Sequence, residues 1–117
     1  MIPPRITAAA RLAREQSERS FQEQIIALAT LSGWLVHAER PAWTSQGWRT
    51  AIQGHAGFPD LVLVRDGMVV FAELKRMGGG PTSAQQGWLD ALRASPGVKA
   101  CLWTPADWPE IERTLVL

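Results

Sequence analysis

The sequence predicts an α/β domain with a mixed sheet flanked by helices. Three observations carry that prediction: the element order α-β-β-β-α-β-α, a tight hairpin centred on Asp66-Gly67, and apolar residues on both faces of the hairpin strands. A two-residue Asp-Gly turn obliges Arg65 to face Met68. Pairing then proceeds in step, so Asp60 falls directly opposite Glu73. Strands that are apolar on both faces belong in the middle of a covered sheet.

Taken in order, residues 1–16 form a basic, Ala-rich arm, either helical or ordered only against a partner subunit or DNA. The main domain, 17–117, opens with an amphipathic helix over 17–32. Ser17 stands at its entry, Phe21, Ile25 and Leu28 recur at helical spacing, and Gly33 supplies the stop. Residues 34–38 read as a strand. Residues 40–57 show no periodicity and contain Pro41, Gly47, Gly54 and Gly57, a structureless stretch of a length that is uncommon without a function. The hairpin strands run over 60–65 and 68–75. Residues 78–81, Gly-Gly-Gly-Pro, form a flexible connector that lacks the Lys-Ser/Thr of a phosphate-binding loop, so no nucleotide cofactor is expected. A helix follows over 83–94, capped by Thr82 or Ser83. Residues 98–104 form a further strand. A last helix begins near Thr104 or Asp107, with Trp108, Ile111 and Leu115 along one side.

A chain of 117 residues supplies one core and not two. Its 46% hydrophobic and 20% charged content is that of a soluble globular chain. No apolar run approaches the roughly 18 residues of a membrane span, and the first residues read as no secretory signal. The expected location is therefore the cytoplasm. The single cysteine, Cys101, excludes an internal disulfide and a cysteine zinc cluster, and its apolar surroundings make it a core residue. A net charge of +1 argues neither for nor against nucleic acid. Ten of the twelve basic residues are Arg, which makes Lys75 in the acidic hairpin conspicuous. Arg stays protonated, whereas Lys holds a water or exchanges a proton.

Helical angles sort the polar candidates. At roughly 100° per residue, Glu18 falls near Ile25 on the apolar stripe and Glu23 on the opposite face. Glu18 is thus a functional candidate, set against the simpler reading that an acid in a first turn favours the helix dipole. Gln85 lines up with Leu89 and Leu92 while Gln86 is rotated away. An inward Gln85 either orients water, Lys75 or phosphate, or is a satisfied structural amide.

The hairpin carries the chemistry. Cross-strand Cβ atoms lie about 5 Å apart, and alternation sets Lys75 on the face of Glu73. Two carboxylates that close, with an ammonium beside them, suit Mg²⁺ or Mn²⁺, with the Leu74 carbonyl as a further ligand. The reaction class implied is phosphodiester hydrolysis. The competing readings are a capping role for Asp60 after Pro59 and an exposed edge-strand ion pair for Glu73 and Lys75. In the 40–57 segment Arg40 and Arg49 suit phosphate contacts, as does Arg76 beyond the hairpin. Trp43 and Trp48 either stack on unpaired bases or staple the loop to the core. Trp34, Trp88, Trp103 and Trp108 read as core.

The motif Gly57-Phe58-Pro59-Asp60, then Phe71-Ala72-Glu73-Leu74-Lys75, then Gln85 and Trp88, resembles the PD-(D/E)XK nuclease superfamily. Within it the chain looks like the small stand-alone VRR-NUC domains of phages and bacteria, from about Glu18 to the C-terminus. Gly33-Trp34 and the residues 103–108, Trp-Thr-Pro-Ala-Asp-Trp, belong to the likeness. The resemblance implies a restriction-endonuclease-like αβββαβ core and a Mg²⁺- or Mn²⁺-dependent deoxyribonuclease, in some members acting on branched junctions. It implies a homodimer, and the host cytoplasm if the gene is a phage's. It makes Asp60 and Glu73 metal ligands, Lys75 the catalytic lysine, and Gln85 and Glu18 further site residues. The segment 40–56 is longer than usual for the family. Two alternatives keep the fold without the catalysis: a DNA-binding module, and an adaptor subunit for another nuclease chain.

Overall fold

In the computed structural model, residues 8–39, 42–45, 47–49 and 52–117 are described, with the backbone alone over 8, 10–16, 42–44, 48 and 49. Helix α1 spans Ala8–Leu31. Strand β1 follows at Leu35–Ala38, then the short β2 at Ala42–Thr44 and β3 at Gly47–Arg49. Strands β4, Leu61–Arg65, and β5, Met68–Leu74, form the hairpin. Helix α2 covers Ser83–Arg93, β6 covers Val98–Trp103, and a 3-10 turn at Pro105–Asp107 leads into α3 at Trp108–Val116. The main sheet has the order β1-β4-β5-β6, with β1, β4 and β5 antiparallel in turn and β6 parallel to β5. It is a mixed sheet flanked by helices, with the hairpin strands at its centre.

The turn keeps its two-residue form: Asp66 and Gly67 both take positive φ, 50° and 79°, and Arg65 pairs with Met68 and Leu61 with Ala72. Alternation then divides the apolar residues. Leu61, Leu63, Val70 and Ala72 face one layer, where Phe21, Ile25 and Ala29 of α1 and Ile111 and Leu115 of α3 close a core completed by Trp34, Cys101 and Trp103. On the opposite face Phe71 meets Phe58 edge-on at 6.0 Å, and Phe58 meets Trp88 of α2 at 5.1 Å. Cys101 is buried as expected, and that burial pushes its thiol up to about 11.

Two expectations are corrected. The first helix does not enter at Ser17: it begins at Ala8, so part of the N-terminal arm is helical and Glu18 is not in a first turn. Gly33, with φ 87°, does end it, because the Trp34 N–H reaches back to the Ala29 carbonyl at 3.0 Å. The segment 40–57 is not structureless. Ala42 pairs with Arg49, Trp43 with Trp48 and Thr44 with Gly47 in a two-stranded ribbon separate from the main sheet. A two-residue connection between Thr44 and Gly47 makes that pairing possible, and too few alternating positions flank it for periodicity to reveal it.

An arginine not singled out by the sequence holds the pole at the hairpin turn. Arg65 Nη1 donates to the Ser32 carbonyl at 2.9 Å and to the Leu115 carbonyl at 2.8 Å. Its guanidinium carbon lies 4.5 Å from the Trp34 ring centroid, and Trp34 Nε1 donates to the same Leu115 carbonyl. One side chain thus ties β4 to the ends of α1 and α3.

Candidate metal centre at the carboxyl end of the sheet

Three of the singled-out residues converge at the end of β5 opposite the turn. Glu73 is 2% exposed, and its Oε1 lies 3.6 Å from Lys75 Nζ. β5 lies inside the sheet and not at its edge, so the reading of an exposed edge-strand pair does not hold. Asp60 sits one position beyond the Leu61–Ala72 pair, across from Glu73. Its Oδ2 accepts the Leu74 N–H at 2.8 Å. Asp60 therefore does cap a strand, since β4 is too short to offer Leu74 a backbone carbonyl. A carboxylate has about four acceptor positions, so this bond leaves most of its capacity free. In an extended strand the carbonyl and N–H of one residue face the same side, so the Leu74 carbonyl also faces Asp60.

The electrostatics are those of crowded acids. Burial raises the Glu73 carboxyl to about 8, the neighbouring Asp60 charge adds to that rise, and the Lys75 ammonium opposes it. Glu73 Oε2 is buried without a hydrogen-bond partner. While protonated, the Glu73 carboxyl can share its proton with Asp60, a hydrogen bond that adds to the rise; once ionised, its orphaned oxygen is costly without a cation beside it. Among the described residues no three His, Cys, Asp or Glu side chains converge. The donor set is therefore two carboxylates and a carbonyl, which fits Mg²⁺ or Mn²⁺: such ions take one or two carboxylates and keep positions for water and phosphate.

The loop before Asp60 is shaped for this placement. Gly57 has φ 98°, and a Cβ there would meet the Ala84 carbonyl carbon at 2.5 Å and the Gln85 nitrogen at 2.8 Å. Glycine lets residues 57–60 pass directly beneath the start of α2. The Trp88 indole N–H donates to the Ala56 carbonyl at 3.0 Å, and Phe58 wedges between Phe71 and Trp88. The G-F-P-D run carried this signal in its glycine.

The other candidates lie elsewhere or are otherwise engaged. Gln85 is half-buried, but its Oε1 accepts the Thr82 N–H at 2.9 Å while its own N–H donates to Thr82 Oγ1 at 3.2 Å. It closes a capping box, the structural alternative for this residue. Glu18 is exposed and not on a buried stripe, because α1 buries Phe21, Ile25 and Ala29 but projects beyond the core before them. It does not join Asp60 and Glu73. Instead it lines a pocket of about 180 Å³ with Ser17, Phe21, Arg76, Met77 and Pro105. Arg76 is exposed, its Nη1 3.5 Å from the Met77 carbonyl. Arg40 lies outside the described residues. Trp43, Trp48 and Arg49 are placed only by the backbone of the β2–β3 ribbon. No helix among the described residues is long and apolar enough to cross a membrane.

Comparison with protein-family models and with curated proteins finds no match for this chain.

Proposed function

We propose that the protein is a metal-dependent nuclease of the PD-(D/E)XK type, VRR-NUC-like, with a restriction-endonuclease-like core, hydrolysing phosphodiester bonds in DNA. One observation carries the reading: a buried glutamate with an unpartnered oxygen, facing a second carboxylate and a lysine at the end of a central strand. Asp60, Glu73 and the Leu74 carbonyl hold Mg²⁺ or Mn²⁺. The ion supplies Lewis-acid neutralisation of phosphate charge and lowers the pKa of water. Lys75, 20% exposed, is the cationic group open to substrate and orients the attacking water or offsets charge gathering on phosphate oxygens. Overall the water oxygen bonds to phosphorus, one ester P–O bond breaks, and a water proton ends on the departing oxygen. The products are a terminal phosphate and a hydroxyl. Asp60 also fixes its own position through the Leu74 N–H, so one of the two acids needs no reorganisation when the site loads.

Carried with the same reading are phosphate contacts from Arg40, Arg49 and Arg76, stacking by Trp43 and Trp48, a homodimer acting on both strands, and a cytoplasmic location. The test compares wild type with Glu73→Ala and Lys75→Ala on labelled linear, flap and junction DNA, in Mg²⁺, Mn²⁺ and EDTA. Cleavage that needs metal and disappears in both variants supports the proposal. Three proteins behaving alike on every substrate would refute it. Tight binding without cleavage would favour a DNA-binding module, and cleavage only with an added chain an adaptor subunit.

A further inference from the structure

The pocket lined by Glu18 and Arg76, at the end of the sheet where β5 runs out into Lys75, has a composition that the hydrolysis itself does not use. It opens at the carboxyl ends of the two parallel strands β5 and β6, where ligands of α/β sheets characteristically bind. Its apolar lining comes from Phe21, Met77 and Pro105, with Phe21 braced against Trp108 at 6.5 Å. Its rim carries opposite charges, Glu18 and Arg76, neither ion-paired among the described residues. Arg76 follows Lys75 directly, and two residues of extended chain from Lys75 to Met77 cover about 7 Å.

A volume of about 180 Å³ is below the range of pockets that enclose drug-sized ligands. Glu18 repels phosphate from the interior, so an anion alone is a poor occupant. A purely apolar group would leave both rim charges without a role. A flat ring with a polar edge, attached to an anionic backbone, answers all three features. The ring rests on Met77 and Pro105, the backbone phosphate meets Arg76, and the Glu18 carboxylate accepts from an exocyclic amine.

We infer that this pocket receives one unpaired, amine-bearing nucleobase next to the phosphate held at Asp60, Glu73 and Lys75, with Glu18 as its specificity-determining residue. The inference rests on the nuclease reading and gives that site a substrate class: nucleic acid with an unpaired nucleotide at the cut. Pairing would occupy the edge that Glu18 reads. Cytosine presents an amine there, whereas thymine presents a carbonyl that meets a carboxylate unfavourably.

The test is fluorescence anisotropy in EDTA, where no cleavage occurs, with oligodeoxycytidine and oligodeoxythymidine of equal length. Wild type should bind the cytosine strand about tenfold more tightly. Glu18→Gln, at an exposed position, should bring the two affinities to within about twofold, chiefly by improving thymidine binding, because its amide can donate to the thymine carbonyl. Arg76→Ala should weaken both strands alike and lower the salt dependence. Equal binding by wild type, no binding of either strand, or an unchanged ratio in Glu18→Gln each overturns the inference. Metal-dependent cleavage with equal affinities would sink the base pocket alone. A cytosine preference without any cleavage in Mg²⁺ or Mn²⁺ would sink the catalytic reading alone.

Discussion

Replacing Glu73 with glutamine should stabilise the metal-free protein at alkaline pH while abolishing the proposed hydrolysis. Burial first, and then the Asp60 charge, raise the Glu73 carboxyl from 4.5 to about 8 in the folded chain, against the pull of Lys75. Below 4.5 the folded and unfolded chains are both protonated at this group, and its stabilising contribution is fully present. Between 4.5 and about 8 the unfolded chain has released a proton that the folded chain retains, so stability falls as pH rises. Above about 8 the loss is complete. At about 1.4 kcal/mol per unit the full effect approaches 4–5 kcal/mol, and local relaxation around a buried acid reduces it to roughly 3 kcal/mol. Glutamine fills nearly the same volume and has no proton to lose. For a domain of this size roughly 3 kcal/mol corresponds to a melting shift of about 10 °C. Thermal unfolding in EDTA should therefore show the variant melting about 10 °C above wild type near pH 9, with the gap closing towards about pH 4. Mg²⁺ at about pH 8 should raise the melting temperature of wild type and leave the variant unmoved. Melting curves that stay parallel across the whole pH range would refute the argument, because an acid that ionises normally in the fold gives no such divergence.

Four further outcomes follow from the same geometry. Since the cation requires ionised Glu73, Mg²⁺ affinity by titration calorimetry should climb almost tenfold per pH unit up to about 8 and then level off; a flat profile rejects the assignment. Asp60→Asn keeps an acceptor for the Leu74 N–H, so urea unfolding should place it within about 1 kcal/mol of wild type while cleavage is lost; Asp60→Ala should cost a further 1–3 kcal/mol or so. Gly57→Ala meets both a positive φ and the Ala84 backbone, and a loss of about 2–4 kcal/mol is expected; an unchanged urea midpoint would contradict the close approach. Arg65→Ala leaves the Ser32 and Leu115 carbonyls without their cationic donor and should lower stability by about 2–4 kcal/mol, with metal affinity unaltered because the site lies at the other end of the sheet.

The parts of the fold that were legible from residues are those set by short-range rules. The Asp66-Gly67 turn fixed the register of β4 and β5, and the register brought Asp60 and Glu73 into opposition with Lys75 beside them. The cap at Thr82, the stop at Gly33 and the apolar sides of α2 and α3 depend on neighbours within one or two turns. What sequence misjudged depends on distant partners. A helical wheel places Glu18 beside Ile25 in angle, yet angle does not say how far along its length a helix stays packed; α1 runs past the edge of the core before reaching Glu18. Of the two readings left open for Gln85, water-orienting or structural, its bond to Thr82 favours the structural one, and that contact is local.

By itself the chain determined an α/β fold with a mixed sheet and a pair of acids held across one tight bend, because alternation along strands and turn stereochemistry act over a few residues. Only the tertiary structure decided that Glu73 is buried with an unpartnered oxygen, that Asp60 is clamped by the Leu74 amide, and that Glu18 and Arg76 share a pocket at the carboxyl end of the sheet. Burial and charge environment are sums over groups far apart in sequence, so they have values only once the layers have packed.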